Sequence, residues 1–355
     1  MSQLFYIVSL WAQSLLIKTS QLIRRKKEMG KRFKGSRATL VAALGLSETD
    51  KHILDAASAI CSKTKMNLRL VHVVEPWAGP LWSIPVAGEA AISGMIQTVE
   101  EQSQMTAEQE LKQLADSIKG DFEITTNVLT GRVAHGLISD AVVNKGSMIL
   151  TGAAPGSHAF VPKGLSTALT LMAESPIPVM VVSQDCKVDF SRGDLKVLAA
   201  DDLTDSSLSV VHVAYDLAAS LGHSNVEHLH VNSLDLETLR ASLSNAQAAS
   251  HSVVDPAVSA ESLFEMIKKD LTEKMKQRSP LHMSSLEASG GKYTYNIVNG
   301  NPSEAINNEV ERTGVDVLVC GRHQTFHRKP FLIGRVPFSA MLSLGRAVVV
   351  APPEV

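Results

Sequence analysis

The chain has three cysteines, Cys61, Cys186 and Cys320, and no two of them stand in a C-x-x-C pair. That absence excludes a zinc ribbon and a dithiol redox motif. Cys61 lies in a helical pattern and Cys320 ends an apolar run, so the thiols are expected as small buried hydrophobes. Long hydrophobic runs are also missing. The best stretch, 4–17, is broken by Ser9, Gln13 and Ser14 and is too short for a membrane span. Its basic cluster, 24–27, follows the apolar run, whereas a secretory signal carries its charge first. Positive charge is scarce beyond this segment. Of the 34 Lys and Arg, nine fall in residues 1–37, where Glu28 is the single acid. Residues 38–355 therefore hold 25 basic against 35 acidic side chains, a net of −10. That balance argues against phosphate-backbone binding, and neither nucleic acid nor stable membrane insertion is expected. Residues 1–35 are read as an N-terminal extension outside the fold, with an interfacial amphipathic helix as the alternative and Met29 as a natural start.

What the chain does contain is a repeat. Thr39-Leu-Val-Ala-Ala-Leu44 returns as Lys196-Val-Leu-Ala-Ala-Asp201, and Leu70-Val-His-Val-Val74 as His228-Leu-His-Val-Asn232. Met148-Ile-Leu-Thr-Gly152 returns as Val317-Leu-Val-Cys-Gly321, and Pro178-Val-Met-Val-Val182 as Arg346-Ala-Val-Val-Val350. The offsets are 157, 158, 169 and 168 residues, so the second copy carries one insertion after its second strand. Two domains follow, 36–184 and 195–353, with 184–194 as a polar linker.

Each copy alternates short apolar runs with helical patterns, the signature of βαβ units around a parallel sheet. In the first copy strands are expected at 38–43, 67–74, 122–129, 148–151 and 179–183. Helices are expected after Ser47-Glu-Thr-Asp50, a capping-box start, and at 97–118, 134–145 and 166–175. In the second copy strands are expected at 195–200, 293–299, 316–320 and 347–351. Thr204-Asp-Ser-Ser207 reads as a supply of helix caps, Gly222 as a helix stop, and Asn301-Pro302 as a cap followed by the first helical residue. Strands 179–183 and 347–351 are edge strands whose unpaired backbone invites them to meet.

The order of these pieces resembles the universal stress protein family. It rests on Leu198-Ala-Ala-Asp201, His72-Val73, His230-Val231, Gly300-Asn-Pro302, Gly152, Gly321 and Pro178-Val179. The resemblance implies two flavodoxin-like, adenine-nucleotide-hydrolase-like α/β domains in tandem, each a doubly wound parallel five-stranded sheet. It also implies that the copies pair within one chain, as single-domain members dimerise; a homodimer of the chain is a further expectation. Many members bind ATP through a loop reading Gly, two residues, Gly, nine residues, Gly, then Ser or Thr, with an Asp at the end of the first strand. Glycines let backbone N–H groups reach phosphates at a helix N-terminus.

Against that pattern the first copy is degenerate. Gly152 and Ser166 hold their positions, but Pro155 and Leu165 replace glycines and Leu44 replaces the Asp; Val73 completes the set. Pro155 has no N–H to donate. The second copy is mixed: Asp201, Val231, Gly321 and Gly334 hold, while Gln324 replaces the middle Gly and Arg335 the Ser or Thr. Its loop, with Arg322, His323, His327, Arg328 and Lys329, is basic enough for an anion, but a solvated edge or domain contact is favoured.

Weaker constellations are His228 and His230, which share a strand face and could join His323 or His327 around a metal. They are read as structural, so no metal is expected. Asp201 and Asp202 are neighbours pointing to different sides and form no acid–base pair. Ser157, His158 and Ser339 lack a triad partner. Trp77 and Trp82, with Pro76, Pro80 and Pro85, rim the sheet's carboxyl end, where Leu44 and Leu165 would floor an apolar pocket.

The expected function is a cytoplasmic, non-catalytic stress-response role, regulatory or protective, with no firm cofactor. One alternative is an ATP switch or slow ATPase using the second domain only. The other is a binder of an apolar small molecule in the first domain.

Overall fold

The computed structural model describes residues 32–76, 89–153, 163–248, 258–322, 334–343 and 345–353. The expectations for 1–31, Trp77, Pro80, Trp82, Pro85, 154–162 and 323–333 lie outside the described residues.

The first copy runs β1 (Thr39–Ala43), α1 (Lys51–Thr64), β2 (Asn67–Val74), α2 (Glu89–Ser117) and β3 (Ile124–Thr130). It continues through α3 (Val133–Val143), β4 (Met148–Ala153), α4 (Lys163–Glu174) and β5 (Val179–Ser183). The second copy runs β6 (Lys196–Ala200), α5 (Leu208–Leu221) and β7 (Asn225–Asn232), then α6 (Leu236–Ala248), α7 (Ala260–Arg278) and α8 (Pro280–Ala288). β8 (Tyr293–Asn299), α9 (Pro302–Thr313), β9 (Val317–Gly321), α10 (Arg335–Ser343) and β10 (Ala347–Ala351) complete it. The second helix of the first copy begins at Glu89 rather than near 97. The insertion forecast from the offset step lies between β7 and β8, where three helices stand in place of the lone α2.

The strands form one sheet of ten, ordered β3-β2-β1-β4-β5-β10-β9-β6-β7-β8. Within each half the pairing is parallel. The two five-stranded halves are continuous, because β5 and β10 pair antiparallel with Met180 opposite Val349. Successive strand residues point to opposite faces, so Leu40 and Val41 feed different cores. On one face Leu68, Met148 and Met180 pack in the same core as Val197, Val317 and Val349. On the other, Val71, Ile149 and Val181 join Leu198, Leu318 and Val348. Each core thus runs across the joint between the copies. Helices cover both faces, which is why β1, β4, β5, β9 and β10 read as unbroken apolar runs.

Local signals account for several boundaries. The expected capping box is present, with Ser47 N–H donating to Asp50 Oδ2 at 3.3 Å, and a short 3-10 turn leads into α1. Asn301 Oδ1 accepts from Ser303 N–H at the start of α9, with Pro302 as its first residue. Gly131 and Gly300, with φ of 139° and 128°, turn β3 and β8 into the next helix. That left-handed backbone strains any residue with a Cβ. One expectation fails: neither Thr204 nor Ser207 makes a side-chain cap bond. A 3-10 turn at 205–207 intervenes, and the Ser207 hydroxyl is drawn to a carboxylate instead.

Helix α5 is buried along twelve of its 14 residues, whereas its counterpart α1 buries six of 14. The difference comes from α8, which packs against α5.

Candidate functional site

In open α/β sheets, ligands sit beyond the carboxyl ends of the strands where the strand order reverses. Here that is the mouth between β1 and β4, and again between β6 and β9. At both places the first strand ends in a turn held by a leucine in left-handed geometry, Leu46 at φ 55° and Leu203 at φ 61°. Such backbone costs a branched side chain about 1 kcal/mol, and both copies keep it.

In the second copy this turn wraps a carboxylate. Asp201 Oδ1 accepts from Leu203 N–H at 3.0 Å, Ser207 Oγ at 2.6 Å and Arg278 Nη2 at 3.1 Å. Its Oδ2 accepts from His228 Nε2 at 3.0 Å and Arg278 Nε at 2.7 Å. The Asp201 side chain is fully buried and Arg278 is 13% exposed. Burial acts to raise the carboxyl's pKa, but the hydrogen bonds from His228 and Ser207 and the charge of Arg278 outweigh it, and Asp201 sits below the ordinary carboxylate range. An ionised carboxylate only accepts, so His228 carries its proton on Nε2. Its buried Nδ1 then has no partner among the described residues. Arg278 Nη2 also donates to Thr204 O at 2.7 Å and lies 3.0 Å from Ser207 Oγ. Asp202 is exposed and turned away, bonded to Thr204.

The first copy replaces this cluster with hydrocarbon. Leu44 stands where Asp201 does and Leu70 where His228 does, both buried. What the copies share is the histidine of the His-Val strand. His72 Nδ1 donates to Leu44 O, and His230 Nδ1 to Asp201 O, each at 2.9 Å. That histidine ties the second strand to the end of the first, a structural task. His228 and His230 face the same side, but His228 is held by Asp201; the carboxylate that sequence spacing did not place beside it lies 27 residues away. Among the described residues no group of three or more His, Cys, Asp or Glu is placed to hold a metal.

Gly152 and Gly321 have a packing reason to be glycine. A Cβ on Gly152 would lie 2.8 Å from Ile53 Cδ1, and one on Gly321 would lie 3.3 Å from Val210 Cγ2. Ile53 and Val210 are themselves equivalent across the repeat, so the helix after the first strand presses on the end of the fourth in both copies. Val73 is buried and Val231 half-buried, each packed in the second-face core. Gly334 has a φ of 90° just before α10. Leu165, Ser166 and Arg335 fall in the first turns of α4 and α10; Pro155 and Gln324 lie outside the described residues.

Two cavities open in the first copy. A cleft of about 1280 Å³ lies between α2 and the sheet end, and a smaller one of about 320 Å³ sits beneath it. Leu44 and Val73 line both, but the larger also presents Gln102, Thr106, Glu110 and Arg132. The apolar pocket expected there is a mixed one, because the α2 face towards it is polar.

Arg322, the first residue of the basic loop, turns to the other copy. Its Nη1 donates to Ala173 O at 2.5 Å and Ser175 O at 3.2 Å, capping the carboxyl end of α4. The thiols of Cys61 and Cys320 are buried and pushed up to about 12, which makes them poor nucleophiles; Cys186 is half-buried. No helix among the described residues is long and apolar enough to cross a membrane.

Sequence reasoning singled out Asp201 but missed Arg278 and Ser207. Reading the copies against each other marks the exchange of Leu70 for His228. Arg278 has no counterpart in the first copy, which carries no arginine between β2 and β3.

Comparison with known proteins fits this geometry. A universal stress protein from Archaeoglobus fulgidus DSM 4304 is similar at a TM-score of 0.55 and 14% identity, covering 90% of this chain and 98% of its own. A functionally unknown protein from Pseudomonas aeruginosa PAO1 is similar at 0.54 and 14% identity, covering 89% and 92%. At that identity the likeness speaks for the fold. No curated protein matches. The sequence model of the universal stress protein family matches residues 195–339. That stretch is a universal stress protein domain, and the chain around it has the fold seen in universal stress protein structures.

Proposed function

We propose that this chain is a cytoplasmic, non-catalytic stress-response protein of the universal stress protein type, with a regulatory or protective role and two degenerate nucleotide positions. We read it as two copies of one domain that act as a single paired body. The observation that carries this reading is the saturation of Asp201. Its carboxylate already accepts five internal hydrogen bonds in a fully buried site. A nucleotide reaching for it would have to displace a charged fork and leave Arg278 unpaired, a loss of several kcal/mol. At the matching place in the first copy, Leu44 offers no polar contact. The same saturation speaks against an ATP switch or slow ATPase in the second domain.

The test is a calorimetric titration of the whole protein with ATP and Mg²⁺ to millimolar concentration, beside Asp201→Ala. A flat trace in both supports the reading. Saturable binding that Asp201→Ala abolishes overturns it in favour of the switch.

A second reading draws support from the 1280 Å³ cleft. It is large enough for a small molecule, and its mixed walls favour an amphipathic ligand over a purely apolar one. Mass spectrometry of the purified protein tests this by the presence or absence of a co-purified compound.

A further inference from the structure

The insertion of the second copy ends α7 on Arg278 and begins α8 two residues later. At that corner the guanidinium enters a pocket made only of groups able to accept hydrogen bonds: Asp201 Oδ1 and Oδ2, Thr204 O and Ser207 Oγ. The acceptors are held in place independently of the arginine. Leu203 N–H, His228 Nε2 and the Ser207 hydroxyl all donate to the carboxylate and fix it. The first copy has buried Leu44 and Leu70 at the places of Asp201 and His228, so no such set of acceptors forms there among the described residues. Carboxylate and guanidinium appear together in one copy and are absent together in the other.

We propose that this pocket is a guanidinium-binding site whose resident occupant is Arg278. The acceptors match a planar fork of N–H donors, which an ammonium cannot imitate. A second contact clasps the same corner. His282 Nδ1, at the start of α8, donates to buried Asp216 on α5 at 2.9 Å. The inserted helices are thereby docked on the domain through two buried carboxylates rather than by apolar packing alone. This assignment stands apart from the reading of the nucleotide positions, because it concerns the occupant and not ATP.

Chemical rescue tests it. Arg278→Ala in the full chain empties the pocket while leaving its acceptors in place. Methylguanidinium at low millimolar concentration should raise the variant's unfolding midpoint saturably, by about 2 °C, as a ligand of the folded state does. Ethylammonium at equal ionic strength should not. Wild type, with the pocket full, and Arg278→Ala/Asp201→Asn, with the carboxylate gone, should respond to neither. If Arg278→Ala is recovered unfolded, Arg278→Gln takes its place, and methylguanidinium-dependent folding of either variant counts as rescue. Equal responses to the two cations, or rescue that survives the loss of Asp201, overturns the assignment. So does the lack of any rescue in both variants. A positive ATP titration of wild type would sink the nucleotide reading without touching this one.

Discussion

Asp201→Leu converts the second copy's buried carboxylate to the residue the first copy uses at the same place, and its outcome can be worked from the contacts. The substitution removes five accepted hydrogen bonds and leaves Arg278, 13% exposed, and fully buried His228 without their acceptor. Breaking one side of a buried charge pair costs about 3–5 kcal/mol, chiefly through the stranded partner. Replacing both sides with apolar groups is often near neutral. Asp201→Leu alone should therefore lower stability by about 3–5 kcal/mol, and Arg278→Met alone by a similar amount. The double variant Asp201→Leu/Arg278→Met should recover the part due to Arg278 and stay about 1–3 kcal/mol below wild type, because buried His228 still lacks its acceptor. Urea unfolding followed by circular dichroism reads all four proteins, and the cycle isolates the coupling. The acid limb provides a second reading. Asp201 has a lowered folded pKa, so its contribution is present above the unfolded carboxyl value and is lost as pH falls through the folded one. The double variant should lack that part of the acid destabilisation. Losses that simply add in the double variant, or a cost below about 1 kcal/mol for Asp201→Leu, would refute the account of this cluster as one interdependent unit.

Three further outcomes are expected. Gly152→Ala should destabilise by about 1–3 kcal/mol, more than Gly321→Ala, because its Cβ meets Ile53 at 2.8 Å against 3.3 Å for Val210; thermal unfolding with and without Ile53→Val checks the cause. Cutting the chain within 184–194 should leave the halves associated on gel filtration, since β5 pairs with β10 and both cores cross that joint. Glu227, hydrogen-bonded with Asn296 beside Glu309, has its carboxyl pKa raised by burial and by that second carboxylate. A raised folded value means stability that is present at low pH and lost as pH rises through it. Glu227→Gln should therefore remove that loss from the midpoint-versus-pH curve, and an unchanged curve would count against the raised Glu227 carboxyl.

Much of the fold could be read from the chain. The offset step from 158 to 169 located the inserted helices, and β5 and β8 match their expected spans residue for residue. These elements are legible because period and turn chemistry are local. Helix α2 starts at Glu89, ahead of its expected span at 97, because its opening residues carry little periodic signal. Gly152 and Gly321 point both ways: they match a phosphate-loop motif in the sequence, while in space each makes room for a residue of the helix after the first strand.

The sequence by itself determined the α/β class and the parallel halves, and it placed Leu44 in one recurring segment where the other has Asp201. All of these rest on residue type and spacing along the chain. Only the tertiary structure decided what became of the Asp that remained. Arg278 reaches Asp201 across 77 residues and His228 across 27. A contact of that range leaves no periodic trace in the sequence, and Arg278 has no counterpart in the other copy to mark it. The joining of two five-stranded halves into one sheet is settled in the same way: backbone pairing between β5 and β10 depends on which edges the folded copies leave free, and no single stretch of sequence carries that information.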